Sequence, residues 1–89
     1  MAEKRFPLPS GRCLVWDSGD GSHVPPDNNL RLYCSDGAVL WQMRDAVGYD
    51  DACVSLTVQD QGFSFLTFNC IRFTISLNTL QILEKRFVK

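Results

Sequence analysis

The chain has one histidine, His23, and no pair of cysteines closer than 17 residues. Zinc ribbons and dithiol redox motifs take two ligands from one turn, so Cys13, Cys34, Cys53 and Cys70 do not fit them. A catalytic triad built on His23 needs a positioned nucleophile and an orienting acid, and the spacing supplies neither. His23 is read as an exposed loop residue. Net charge is also lacking. Nine basic against ten acidic residues leave a formal charge of -1, too little to hold a nucleic-acid backbone or an anionic membrane. No apolar run nears the ~20 residues that a membrane-spanning helix needs. The start, Met1 to Pro7, has no apolar core of a signal peptide. The expected location is therefore cytoplasmic, with reduced thiols, and Cys34 and Cys70 are expected to serve as small buried hydrophobes.

Helical periodicity is missing too; the segment from Asp45 to Cys53 has room for a single turn. The chain holds period-two patterns separated by turn residues. At 45% hydrophobic and 21% charged, the 89 residues are globular in composition and fit one small domain, 1–89. Residues 1–11, with Pro7, Pro9 and Gly11, read as irregular. Arg12–Trp16 is a short strand. Asp17–Asn29 is a long loop of Gly, Pro, Asn and Asp. Leu30–Cys34 alternates, and Ser35-Asp36-Gly37 is a hairpin turn into Ala38–Met43. Ala52–Gln59, Phe63–Phe68, Ile71–Leu77 and Gln81–Val88 follow, with turns at Asp60-Gln61-Gly62, at Asn69-Cys70 and between Leu77 and Leu80. The expected fold is an all-β antiparallel meander of about six or seven strands, sandwiched or dimerised.

Two hairpins echo one another. Tyr33–Trp41 and Ile75–Glu84 are each strand, turn and strand, and Leu40 and Leu83 lie 43 residues apart. That is the spacing of a propeller blade. The first hairpin resembles the blade motif of quinoprotein-type β-propellers, Ala-x-Asp-x-x-Thr-Gly-x-x-x-Trp, retaining Gly37, Leu40 and Trp41. The second is similar but carries Ser76, Leu80 and Glu84 where the motif has Asp, Gly and Trp. The chain also resembles, more loosely, small bacterial β-proteins of uncharacterised function. The propeller likeness implies a blade-like fold and no chemistry, since the quinone-binding positions of those enzymes have no counterpart here. Two blade lengths cannot close a propeller, so the sheet edges are left to be explained.

Side chains suited to recognition are easier to find than catalytic ones. Phe63, Phe65, Leu66 and Phe68 put apolar groups on both faces of one strand, which calls for a second covering layer. Trp16, Trp41 and Tyr49, with Phe63 and Phe65, are the candidate interface residues; for Trp41, core packing is the simpler reading. The acids Asp17, Asp20 and Asp27 fail the spacing of a calcium loop. Asp45, Asp50 and Asp51 read as exposed loop acids. The basic cluster Lys85, Arg86 and Lys89 reads as a solvated strand end.

The expected function is non-enzymatic: protein binding or self-assembly, with a homodimer or another protein as partner, no cofactor, no metal, no nucleic acid and no membrane. The alternative is a small ligand-binding or hydrolytic domain using the loop acids and His23. An oligonucleotide-binding barrel is a third reading, weakened by the neutral charge and by Arg72 and Phe73 pointing to opposite faces.

Overall fold

Apolar residues at every second position, broken by tight turns, give strands that bury one face each. In a computed structural model they form, among the described residues, eight strands and one short α-helix. The structure describes residues 3–19 and 26–88. Strands β1 (Glu3–Pro7), β2 (Cys13–Asp17), β3 (Leu30–Tyr33) and β4 (Val39–Gln42) form one antiparallel meander. Helix α1 (Met43–Val47) leads to a second, made of β5 (Cys53–Val58), β6 (Gly62–Thr67), β7 (Ile71–Ser76) and β8 (Ile82–Phe87). The all-β antiparallel expectation holds, as two four-stranded sheets and with more strands than the six or seven read from the pattern.

The added strand is β1, which the proline content had assigned to an irregular segment. Proline is tolerated there because β1 is an edge strand and Pro7 is its last residue. The helix also begins earlier than Asp45, at Met43. Gln42 caps it in a reciprocal box with Asp45, and Gly48, at φ 86°, ends it in the left-handed conformation.

The core consists of rows of side chains in register across each sheet. In the first sheet Phe6 stands beside Leu14, Leu14 beside Leu32, and Leu32 beside Trp41. In the second, Leu56, Phe65 and Phe73 form one row and Val58, Phe63 and Ile75 another. The rows of the two sheets meet: Trp41 lies edge-on to Phe63 at 5.1 Å and to Phe65 at 5.9 Å, and Phe65 stacks on Phe73 at 5.2 Å. Such pairs add about 0.5–1.5 kcal/mol each beyond area burial. Gly62 opens β6 because no larger residue fits: a Cβ there would sit 2.5 Å from the Ile75 carbonyl oxygen.

Polar groups lock the two sheets together at one end. The Asn29 side chain accepts from the Cys53 N–H at 2.6 Å and donates to the carbonyls of Cys53, at 3.0 Å, and Asp17, at 2.7 Å. The Trp16 indole also donates to the Cys53 carbonyl, at 3.0 Å. Asp51 is buried beside them and accepts from the Ala52 N–H and from Asn69. The echoing hairpins of the sequence are β3–β4 and β7–β8, the last hairpin of each meander.

Candidate functional site: an exposed sheet edge

The five candidate interface residues do not come together on the surface. Phe63 and Phe65 are each 1% exposed and Trp41 is 4% exposed, all three inside the sandwich. Trp16 is half-buried, with its indole N–H committed to Cys53 and the Lys4 ammonium 5.2 Å from its ring centroid. Tyr49 alone is well exposed, in the loop after α1, near an Arg44–Asp50 ion pair of 3.3 Å. The second layer inferred for β6 is not needed on both sides. Phe63 and Phe65 face the first sheet, Leu66 is half-buried, and Phe68 lies past the strand end, exposed.

The loop acids are divided. Asp45 caps α1, Asp50 pairs with Arg44, and Asp51 is buried. Asp17 accepts from the Gly19 N–H. Asp20 and His23, on which the hydrolytic alternative depends, lie outside the described residues. Among the described residues no group of three or more His, Cys, Asp or Glu side chains is placed to hold a metal ion. A cleft of about 210 Å³ on the outer face of the first sheet is lined by Glu3, Asp17, Asp27 and Arg31, with Val15 and Tyr33. It gathers three carboxylates and one guanidinium on an open surface, and two of those acids, Asp17 and Asp27, belong to the long loop's acids.

The thiols differ sharply. Burial pushes the Cys53 thiol up to about 12, opposed by its contact with the Ser55 carbonyl. The Cys34 thiol donates to the Asp36 carboxylate, and that bond, with the Ala38 N–H, holds Asp36 below its ordinary value. Cys70 is exposed rather than buried, in a left-handed turn at φ 67°.

The feature that sequence reasoning passed over is the far edge of the second sheet. All six residues of β8 are exposed. The neighbouring strand is buried on its inner face, with Phe73 and Ile75 at 0% exposure. The core rows therefore continue into β8 but their cover does not. The row of Phe65 and Phe73 ends in Lys85, whose ammonium lies 5.7 Å from the Phe73 ring centroid, and the row of Phe63 and Ile75 ends in Ile82. Ile82 is 45% exposed, and Leu83 and Phe87 are each 64% exposed. At the far edge of the other sheet, Val39 and Leu40 of β4 are also exposed.

The turn between Leu77 and Leu80, which placed a final strand at Gln81–Val88, was the available signal. It could not show that the other sheet stops short of it. Compared with protein-family models, with curated proteins and with solved structures, the chain finds no match.

Proposed function

We propose that this is a non-enzymatic β protein that works by binding protein, another or itself, through the open edge of its second sheet. The observation that carries this reading is β8: six exposed residues, three of them large and apolar, at the end of a sheet. An edge strand presents unpaired backbone donors and acceptors that another strand can complete. Burying the exposed parts of Ile82, Leu83 and Phe87 would contribute on the order of 1 kcal/mol each. The same edge carries protection against indiscriminate pairing: Lys85 at its centre and an irregularity where Leu83 interrupts the register with β7. Such an edge favours a matched partner over aggregation.

The test is recovery of the tagged full chain from its source lysate, in wild-type form and as Leu83→Asp, with molar mass read by light scattering. The expected result is a complex of fixed stoichiometry that Leu83→Asp abolishes while circular dichroism and Tm stay unchanged. A complex indifferent to Leu83→Asp, or none at all, overturns the reading.

A further inference from the structure

Three charges in a row distinguish β8: Glu84, Lys85 and Arg86. Glu84 is paired across the ladder with Thr74, Lys85 with Phe73 and Arg86 with Arg72. The last pairing sets two guanidinium side chains directly opposite each other, an unfavourable arrangement on a sheet face. Neither arginine has an acidic partner among the described residues, whose ion pairs are Arg5–Glu3 and Arg44–Asp50.

The direction of the backbone groups follows from the register. The Val88 N–H donates to the Cys70 carbonyl, so Val88 addresses β7. In an antiparallel ladder residues address alternate sides, so Arg86 and Glu84 address β7 as well, and Lys85 turns its N–H and C=O to the open edge. A strand added there makes its hydrogen-bonded pair at Lys85. Its neighbours at 84 and 86 then fall in non-hydrogen-bonded positions, where facing side chains are closest.

We propose that the occupant of this edge is a second copy of the chain, docked antiparallel on β8 about a two-fold axis at Lys85. The proposal rests on the reading of β8 as a binding edge and names its partner and register. Centred at Lys85, the pairing sets Glu84 of each copy opposite Arg86 of the other, giving two opposite-charge pairs. It also brings an acid beside the Arg72–Arg86 pair that lacks one. Leu83 then lies opposite Phe87 of the second copy. Moving the axis to Glu84 would oppose two carboxylates, and moving it to Arg86 would oppose two guanidinium groups. The charge order therefore selects one register of the three. The two Lys85 residues meet at the axis, but each ammonium is already drawn back over its own Phe73 ring. The product is a continuous eight-stranded sheet with a two-fold, self-complementary interface.

Light scattering of the full-length wild type, Glu84→Arg, Arg86→Glu and the double reversal tests this, at matched concentrations and with circular dichroism to confirm folding. The wild type is expected at twice the 10.1 kDa of one chain. Each single reversal opposes like charges at both pairs and is expected to weaken the dimer on the order of tenfold or more. The double reversal restores opposite charges and is expected to restore the dimer, which a general loss of folding would not allow. A dimer that survives both single reversals, or a double reversal that stays as weak as the singles, overturns the register. A wild type that is monomeric at every concentration overturns self-pairing. If Leu83→Asp then still removes a captured foreign protein, β8 remains a binding edge; if it removes nothing, that reading falls too.

Discussion

The side-chain amide of Asn29 reads the backbone of Cys53 from both sides, accepting from its N–H at 2.6 Å and donating to its C=O at 3.0 Å. Asn29 precedes β3 of the first sheet and Cys53 opens β5 of the second, so this pair joins the sheets through buried polar groups. Buried polar groups left without partners cost more than the bonds contribute when made. Asn29→Ala strands the Cys53 N–H and the Asp17 carbonyl, and the expected loss is about 2–4 kcal/mol. Urea unfolding at constant m-value measures it. A loss below about 0.5 kcal/mol, the level of an ordinary surface change, would show that the amide is not a clamp.

The aromatic residues on β6 and just past it make a paired test. Phe65 touches both Trp41 and Phe73 and is 1% exposed, whereas Phe68 is 55% exposed. Phe65→Ala is expected to cost about 3–5 kcal/mol, with transfer and cavity contributions together. Phe68→Ala is expected to stay within roughly 0.5 kcal/mol. Equal effects in thermal or chemical unfolding would mean that the two sheets do not pack as described.

Cys53 makes stability depend on alkaline pH. Its folded value, raised to about 12, exceeds the ordinary 9.0 that the unfolded chain takes. The contribution is complete below pH 9.0; above it the unfolded chain releases a proton that the folded chain keeps, and stability falls until about 12. Cys53→Ala is expected to flatten the part of the unfolding pH profile that belongs to this thiol. In the same range Cys53 should resist alkylation in the folded protein, while exposed Cys70 reacts. Alkylation of Cys53 as fast as that of Cys70 would contradict the burial.

How much of this was legible from the chain depends on the length scale. The turn at Ser35-Asp36-Gly37 and the alternation from Ile71 to Ser76 are local, and both are where the sequence put them. Strand β1 was hidden because three of its five residues are charged and only Phe6 is partly buried, as suits an edge. Asn29 and Asp51 looked like loop residues. Their partners lie 24 and 18 residues away, at Cys53 and Asn69, and no local pattern reports such pairings. The same limit applied to the interface residues. Phe63 and Phe65 were recognisable as apolar, but only the docking of the first sheet decides that they are covered and that Ile82, Leu83 and Phe87 are not.

Amide hydrogen exchange at Lys85 tests the central claim most directly, because its N–H faces the open edge of β8. With β8 as a self-pairing edge, that amide exchanges slowly in concentrated protein and faster on dilution, while amides of the buried strand β6 stay protected throughout. Fast exchange at Lys85, unchanged between dilute and concentrated protein, would contradict it.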